Sequence, residues 1–187
     1  DCCELDIQNA YKFSKENNCD GIIAAGGGKV LDAGKLIADL LDINCITVPL
    51  SASTCAGWTA LSNIYTPEGK FVKDVTLKSS PSLLIFDHSI VRDAPSRTLA
   101  SGMADAVAKW YESSLTSSAS KDGFVQQAVQ MARVLRDQIF LDGYKAFTDP
   151  LSNSWKTVAE GCALTAGMIG GIGGAKCRTA AAHPIHN

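Results

Sequence analysis

Three consecutive glycines at positions 26–28 separate a short apolar run from a helical repeat, and this junction constrains the fold more than any other feature. The apolar run covers residues 21–25, and Leu31, Ala38 and Leu41 recur at helical spacing after the glycines. A short buried run that stops at glycines indicates a strand ending in a tight turn. The pattern therefore predicts a strand, a glycine turn and a helix, in this order.

Two further apolar runs predict strands of the same sheet. Residues 45–48 form a buried run that is closed by Pro49, and residues 83–86 form another that ends at Asp87. Strands that alternate with helices favour a parallel, doubly wound sheet. We therefore predict the α/β class for the first half of the chain.

Two local patterns accompany this sheet. Residues 5–16 predict an amphipathic helix whose apolar side includes Leu5, Ile7 and Phe13. Residues 64–71 contain two short runs around a Pro-Glu-Gly turn, which predicts a hairpin inserted between the second and third strands.

The second half of the chain has a different pattern. From about residue 96 the apolar residues follow helical spacing, over residues 99–115, 125–141 and 155–166. We therefore predict an α/β domain over residues 1–94 and a helical domain over residues 95–187. Three strands are few for such a sheet, and no closing helix precedes the last residue. We expect that the first domain lacks its N-terminal part and the second its C-terminal part.

The composition is that of a folded chain with little net charge. Of 187 residues, 46% are hydrophobic and 19% are charged, and the formal net charge is -2. Such a balance excludes a disordered chain and gives no field that would attract nucleic acid or an anionic membrane. No apolar run is long enough to span a membrane, and no secretory signal begins the chain. We expect a cytoplasmic protein that binds a small molecule or another protein.

The seven cysteines are scattered, and none forms a Cys-x-x-Cys pair. We expect them to be reduced thiols that pack as small apolar side chains.

Two loops at the ends of predicted strands could bind a nucleotide. Backbone N–H groups at a glycine turn that opens a helix attract phosphate, although such a turn can also serve only to reverse the chain. The hydroxyl-rich segment 48–59 follows the second strand, at the sheet edge where ligands bind in open α/β folds. Its Ser and Thr side chains could instead satisfy the backbone of the loop.

Metal-ligating residue types occur at two places in the second half. Asp105 is a lone carboxylate on an otherwise apolar helix face, and His183 and His186 lie three positions apart near the last residue. A carboxylate and imidazoles are ligands of catalytic zinc. A hydrogen-bonded core histidine and a salt-bridged aspartate are the alternatives.

Five motifs in order resemble glycerol dehydrogenases of the iron-containing, metal-dependent alcohol dehydrogenase family. They are Gly-Gly-Gly-Lys-x-Leu-Asp at 26–32, Val-Pro-x-x-Ala-Ser-Thr-x-Ala at 48–56, Ala-Leu-Ser-x-Ile-Tyr-Thr-x-x-Gly at 60–69, Gly-Met-Ala-Asp-Ala at 102–106, and Ala-Ala-Ala-His-x-Ile-His-Asn at 180–187. The likeness runs from about residue 15 to residue 187. It implies a Rossmann-like domain that holds NAD(H), with NADP as the alternative, followed by a helical domain that holds a divalent metal.

The resemblance also implies a role for individual residues. Asp105 and His183 would be metal ligands, His186 would act in catalysis beside the metal, and a third ligand, another His, would follow Asn187. The residues implied to contact the cofactor are Gly27, Gly28, Lys29, Asp32, Ser53, Thr59, Leu61 and Tyr65.

The chemistry of an alcohol dehydrogenase explains these residue types. A hydride leaves the alcohol carbon readily when a Lewis acid stabilises the alkoxide, and His and Asp ligands leave a position open for that oxygen. Lys109 stands one helical turn after Asp105, where iron-using relatives carry a fourth ligand, His. Because a protonated lysine cannot bind a metal ion, we predict zinc, with Mn²⁺ and Fe²⁺ as alternatives.

One departure from the family pattern bears on the substrate. Glycerol dehydrogenases carry an Asp that hydrogen-bonds the polyol at the position of Cys55, and this chain also has Trp58 nearby. We expect that the change disfavours glycerol and favours a small 2-hydroxy or 2-oxo acid, with a polyol as the alternative.

Two other functions remain open from the sequence. A sugar-phosphate cyclase of the dehydroquinate synthase type would need a cluster of basic side chains, which residues 50–63 lack. A non-catalytic, truncated remnant would bind nucleotide weakly. An exposed sheet edge and apolar helix faces would also permit a homo-oligomer.

Overall fold

The computed structural model describes residues 2–177, without the side chains of residues 175 and 176. The described chain divides into two compact units. Unit 1 contains residues 2–50 and 56–87, and unit 2 contains residues 51–55 and 88–177. The predicted boundary near residue 94 concerns the domains of the whole protein and stays a prediction.

Unit 1 is built around a three-stranded parallel sheet. Its strands are β1 (Gly21–Gly26), β2 (Asn44–Pro49) and β5 (Leu83–Leu84), in the order β1-β2-β5. Ile23 lies opposite Ile46, and Thr47 lies opposite Leu84. The parallel α/β fold predicted from the sequence is confirmed. The third strand was predicted over 83–86 but is shorter, and backbone hydrogen bonds flank it on both sides, from Ser82 N–H to Cys45 O and from Ile85 N–H to Thr47 O, each at 2.9 Å.

Two α-helices, a hairpin and a 3-10 helix, Ala56–Trp58, complete unit 1. The helices are α1 (Glu4–Glu16) and α2 (Gly28–Leu41), and the antiparallel hairpin joins β3 (Leu61–Tyr65) to β4 (Phe71–Thr76). At the hairpin turn Gly69 has a φ of 88°, a conformation that favours glycine. The predicted hairpin is therefore confirmed.

The main core of unit 1 lies between α1, α2 and the hairpin. It contains six buried residues, Cys2, Ile7, Leu36, Ile37, Ile64 and Leu77. The predicted apolar side of α1 is only partly correct. Ile7 is buried, but the side chains of Leu5 and Phe13 are 63% and 65% exposed. The reason is that spacing gives the periodicity of a helix, whereas the neighbouring elements decide which face is covered.

The regular secondary structure of unit 2 is helical within its described residues, as the helical spacing of the second half predicted, and loops connect the helices. Its α-helices are α3 (His88–Arg92), α4 (Ser96–Thr116), α5 (Gly123–Thr148), α6 (Asn153–Glu160) and α7 (Ala166–Gly173). Asp122 caps α5 by accepting hydrogen bonds from Phe124 N–H and Val125 N–H, and Ser152 caps α6 by accepting one from Trp155 N–H. A π-helical turn, Gly161–Thr165, connects α6 to α7.

Surface and thiol features complete the description. Within residues 2–177 no helix combines the length and apolar character required to cross a membrane. All seven cysteines are free, and only Cys19 is not buried. Large apolar side chains are exposed along α5, namely Phe124, Val134, Phe140, Leu141, Tyr144 and Phe147. The expectations of a cytoplasmic location and of a homo-oligomer stay predictions.

Candidate functional site

The glycine turn of unit 1 lies between the carboxyl end of β1 and the first residue of α2. Gly27 is the N-cap residue of α2, where no side chain caps the helix, and its carbonyl accepts hydrogen bonds from Val30 N–H and Leu31 N–H at 3.0 and 3.1 Å. A Cβ at Gly27 would meet no atom within 4 Å, so its backbone faces open space. An open helix start of this kind suits a phosphate group.

The neighbouring glycines allow close packing instead. A Cβ at Gly26 would lie 2.6 Å from the Cβ of Val30, and a Cβ at Gly34 would lie 2.4 Å from the Cβ of Ala24. Such distances are too short for two carbon atoms, so glycine is required for α2 to lie this close to β1. The close contact fixes where the start of α2 stands relative to the sheet edge.

Lys29 and Tyr65 are predicted cofactor residues from distant parts of the sequence, and the fold brings them together. The Lys29 ammonium lies 4.9 Å from the centroid of the Tyr65 ring, a cation–π contact. Phe71 meets the same ring edge to face, at a centroid distance of 6.2 Å. Burial, with added repulsion from the charges of Asp32 and Cys2, raises the pKa of Tyr65. Tyr65 therefore stays a neutral ring beside a cation.

Asp32 lies within the predicted cofactor motif, but its carboxylate is turned into unit 1. Asp32 is only 4% exposed. Its carboxylate pairs with the Lys35 ammonium at 2.9 Å and accepts a hydrogen bond from Asn63 N–H at 3.1 Å. Burial raises the pKa of Asp32, and the Lys35 charge opposes this rise. The cofactor contact of Asp32 stays a prediction, while its bonds inside unit 1 are structural.

Lys35 is the residue of this region that the sequence reasoning missed. Its ammonium donates hydrogen bonds to Thr59 O at 3.2 Å, to Thr59 Oγ1 at 3.1 Å and to Leu61 O at 2.5 Å. Thr59 and Leu61, both predicted cofactor residues, are thus bound to α2 through one side chain. The available signal was a lysine on the apolar side of a predicted helix, three positions after an aspartate.

Two predicted residues, Ser53 and Cys55, lie on the loop at residues 51–55, which belongs to unit 2. The Ser53 hydroxyl is 3.1 Å from the Ser51 hydroxyl. Cys55, the predicted substrate residue, is 5% exposed, and its thiol is hydrogen-bonded to the Lys109 side chain. A Cβ at Gly102 would lie 1.9 Å from Ala52 O, so α4 packs directly on this loop. The close packing explains why a side chain of α4 reaches Cys55.

Asp105 stands one helical turn before Lys109 on α4. Lys109 interacts electrostatically with Cys55, and Asp105 interacts electrostatically with Cys162. Burial alone would lower the pKa of Lys109, but the charges of Cys55, Asp105 and Glu112 outweigh it and raise this pKa. Lys109 is therefore an ammonium. Burial, with the charges of Asp105 and Cys55, raises the pKa of Cys162 to about 12, so Cys162 is a neutral thiol.

Of the two predicted metal ligands, only Asp105 is among the residues that the structure describes. Asp105 lies in the described part of the chain, whereas the predicted ligand His183 and the predicted catalytic His186 lie outside it. Among residues 2–177 no three His, Cys, Asp or Glu side chains are grouped so that they could hold a metal ion. The metal site stays a prediction that rests on the resemblance.

A cavity in unit 2 is separate from these residues. Its volume is about 1000 Å³, and it lies between the end of α4 and α5, where Ser117, Gln126, Gln130 and Val134 are among its lining residues. None of the predicted site residues within 2–177 lines it.

Comparison with known proteins places this geometry in a family. The sequence model of the iron-containing alcohol dehydrogenases matches residues 1–88. An uncharacterized oxidoreductase of Synechocystis is 46% identical over 187 residues, which are 100% of this chain and 49% of the relative. A glycerol dehydrogenase of Pseudomonas putida is 32% identical over 192 residues, with 100% of this chain and 53% of the relative covered.

A solved structure gives the same result. The crystal structure of a probable glycerol dehydrogenase from Sinorhizobium meliloti matches with a TM-score of 0.90 at 28% identity, and the match covers 100% of this chain and 54% of that chain. This chain spans about half the length of the curated relatives it matches. On motif order, sequence identity and fold together, residues 1–88 belong to the iron-containing alcohol dehydrogenase family, and the chain as a whole is similar to the glycerol dehydrogenases of this family.

Proposed function

We propose that this chain forms part of an NAD(P)-dependent and metal-dependent dehydrogenase, which transfers a hydride between the nicotinamide and the CH–OH carbon of a small alcohol. One observation carries the proposal: the open glycine turn at the edge of a parallel sheet, with Lys29 and Tyr65 in contact beside it, in a member of this family.

The residues of unit 1 fit a dinucleotide. The backbone at Gly27 has room for a phosphate group, and the N-terminus of α2 supplies N–H groups and a favourable dipole. The Lys29 ammonium would add a positive charge for the phosphates. The Tyr65 ring, neutral and half-buried, would offer an apolar face to the cofactor. Thr59 and Leu61 would line the same side, and Ser53 is proposed as a further contact.

The metal assignment rests on Asp105 and His183, with His186 proposed to move a proton near the substrate. A divalent metal would supply a Lewis acid for the developing alkoxide. We propose zinc because Lys109, at the position of a fourth ligand in iron-using relatives, is held as an ammonium by Cys55, Asp105 and Glu112. An ammonium has no lone pair for a metal ion.

The substrate is proposed from Cys55. The buried sulfur of Cys55 offers a polyol no carboxylate, and the Lys109 ammonium that is hydrogen-bonded to it would offset repulsion of the carboxylate of a 2-hydroxy or 2-oxo acid. A relative at 32% identity is a glycerol dehydrogenase, so the polyol is the competing substrate.

Steady-state kinetics on the full chain, with zinc and NAD(H), tests these proposals. Absorbance of NADH follows the oxidation of glycerol and the reduction of a set of small 2-oxo acids. We expect a higher kcat/KM for at least one 2-oxo acid, and a higher value for glycerol than for every acid would contradict the acid assignment. Absence of NADH binding to a folded, zinc-supplied protein would contradict the dehydrogenase itself.

A further inference from the structure

Lys35 is a buried cation in the middle of unit 1. It lies on α2 and is 2% exposed. An ammonium withdrawn from water is tolerated only where acceptors replace its hydration. The fold must therefore bring acceptors to this position, and their identity shows what the residue holds in place.

The acceptors come from two parts of the chain. Asp32, one turn earlier on the same helix, supplies a carboxylate oxygen at 2.9 Å. Thr59 supplies its hydroxyl and carbonyl oxygens at 3.1 and 3.2 Å, and Leu61 supplies its carbonyl at 2.5 Å. One side chain thus connects α2 to the segment that enters β3, more than twenty residues later.

Asp32 strengthens this connection. Its second carboxylate oxygen accepts a hydrogen bond from Asn63 N–H at 3.1 Å, and its carbonyl accepts one from the Ser62 hydroxyl at 2.9 Å. Together with the bonds of Lys35, four residues between 59 and 63 are attached to a single turn of α2. Charged hydrogen bonds of this kind are short and directional, so they fix the position of the backbone.

The two joined segments are those that the proposed nucleotide site uses. The start of α2 carries Gly27, Gly28 and Lys29, and the segment from Thr59 to Tyr65 carries the residues proposed to line the other side. We infer that Lys35 is a positioning residue of the nucleotide site, which acts by tying the Thr59–Leu61 backbone to α2 through its ion pair with Asp32. This inference rests on the proposed function.

The first test replaces Lys35 by methionine, which keeps the length of the side chain but removes the ammonium. Lys12→Met, at an exposed position of α1, is the matched control. In the full chain we expect Lys35→Met to raise the KM for NAD at least about tenfold, since a displaced contact is lost in the bound state. The kcat at saturating NAD should change much less. This pattern separates a positioning role from partial unfolding, which would lower kcat and leave KM unaltered.

A local measurement follows the connection without any nucleotide. Amide hydrogen exchange of the apo protein should become faster for Asn63 and its neighbours at 59–63 in Lys35→Met, while the amides of β1 keep their wild-type rates. The Lys12→Met control should leave both regions unchanged.

Lys35→Met leaves a buried carboxylate at Asp32 without its cation, and the variant could fail to fold. Asp32→Asn/Lys35→Met removes both charges, and its comparison with Asp32→Asn isolates the bonds from Lys35 to Thr59 and Leu61. Unchanged exchange at 59–63 or an unchanged KM for NAD in the folded variants overturns the inference. Faster exchange together with a wild-type protein that binds no NADH would overturn the proposed function instead.

Discussion

Each of the two units contains a buried lysine, and the lysines have different partners. Lys35 of unit 1 is 2% exposed and donates to backbone carbonyls and to one carboxylate. Lys109 of unit 2 is 7% exposed and interacts with side chains, namely Cys55, Asp105 and Glu112.

The difference separates two uses of a buried cation. A lysine bound to carbonyls fixes the course of the chain, because carbonyl positions are backbone positions. A lysine surrounded by a thiol and carboxylates sets the charge of groups that are themselves proposed to contact substrate or metal. We therefore expect substitutions at Lys35 to affect stability and geometry, and substitutions around Lys109 to affect charge and specificity.

The largest expected effect is on the free energy of unfolding. Lys35→Met should lower it by about 3–5 kcal/mol, since Asp32 is left buried and unpaired. Lys109→Met should lower it by about 1–3 kcal/mol, because Asp105 is only half-buried and can be hydrated, and the buried Glu112 has the smallest of the charge effects on Lys109. Urea unfolding monitored by circular dichroism measures both values, with Lys12→Met as the control. A larger loss for Lys109→Met than for Lys35→Met would remove the distinction.

A second comparison concerns glycines of the two units. Gly102→Ala should lower the free energy of unfolding by about 1–3 kcal/mol, because the new Cβ would lie 1.9 Å from Ala52 O, a backbone atom. Gly27→Ala meets no atom within 4 Å and should lower it by about 1 kcal/mol or less. Gly27→Ala should nevertheless weaken NADH binding about tenfold, since its methyl group would occupy the approach to the backbone. Thermal unfolding and NADH fluorescence titration separate the two effects.

Alkaline pH should destabilise both units through their buried thiols. Burial, with the charge of Asp32, raises the pKa of Cys2 in unit 1 to about 11, and the pKa of Cys162 in unit 2 is raised to about 12, both from 9.0. Above pH 9 the unfolded chain loses these protons while the folded chain keeps them, so the free energy of unfolding falls as pH rises.

Stability measured from pH 8 to pH 11 checks this expectation. Cys162→Ala should make the decline shallower, and Cys2→Ala should do so to a smaller extent. Cys19→Ala, at the one cysteine that is not buried, should leave the slope unchanged. The same slope in all three variants would show that other groups control the decline.

The smallest effect is one of specificity. Cys55→Asp restores the carboxylate that glycerol dehydrogenases carry, and Lys109 lies ready to pair with it. We expect the ratio of kcat/KM for glycerol to that for the preferred 2-oxo acid to rise about tenfold, roughly the effect of one charged hydrogen bond. Cys19→Asp is the matched control. An unchanged ratio would show that Cys55 does not contact the substrate.

Local features of the fold were predictable from the sequence. β1, the glycine turn and α2 follow from adjacent residues, because a short apolar run, glycines and helical spacing are each local signals. The hairpin followed from its Pro-Glu-Gly turn in the same way. For β5, apolar character extends over residues 83–86, but only Leu83 and Leu84 pair along β2.

Features that depend on a distant partner were not predictable. The exposure of Leu5 and Phe13 depends on what covers α1, and the role of Lys35 depends on Thr59 and Leu61. Residues of the candidate site were named from motif order, but their orientations were not. Asp32 points into unit 1 and Cys55 is buried against Lys109, and the ligand contacts predicted for both residues stay predictions.

The sequence by itself determined the alternation of strands and helices, the glycine turn and the motif order that identifies the family, since each is written in neighbouring residues. Only the tertiary structure decided which charges are buried and what they bind. The reason is energetic: a buried ammonium or carboxylate persists only where folding supplies acceptors and donors, and at Lys35 these come from residues more than twenty positions away.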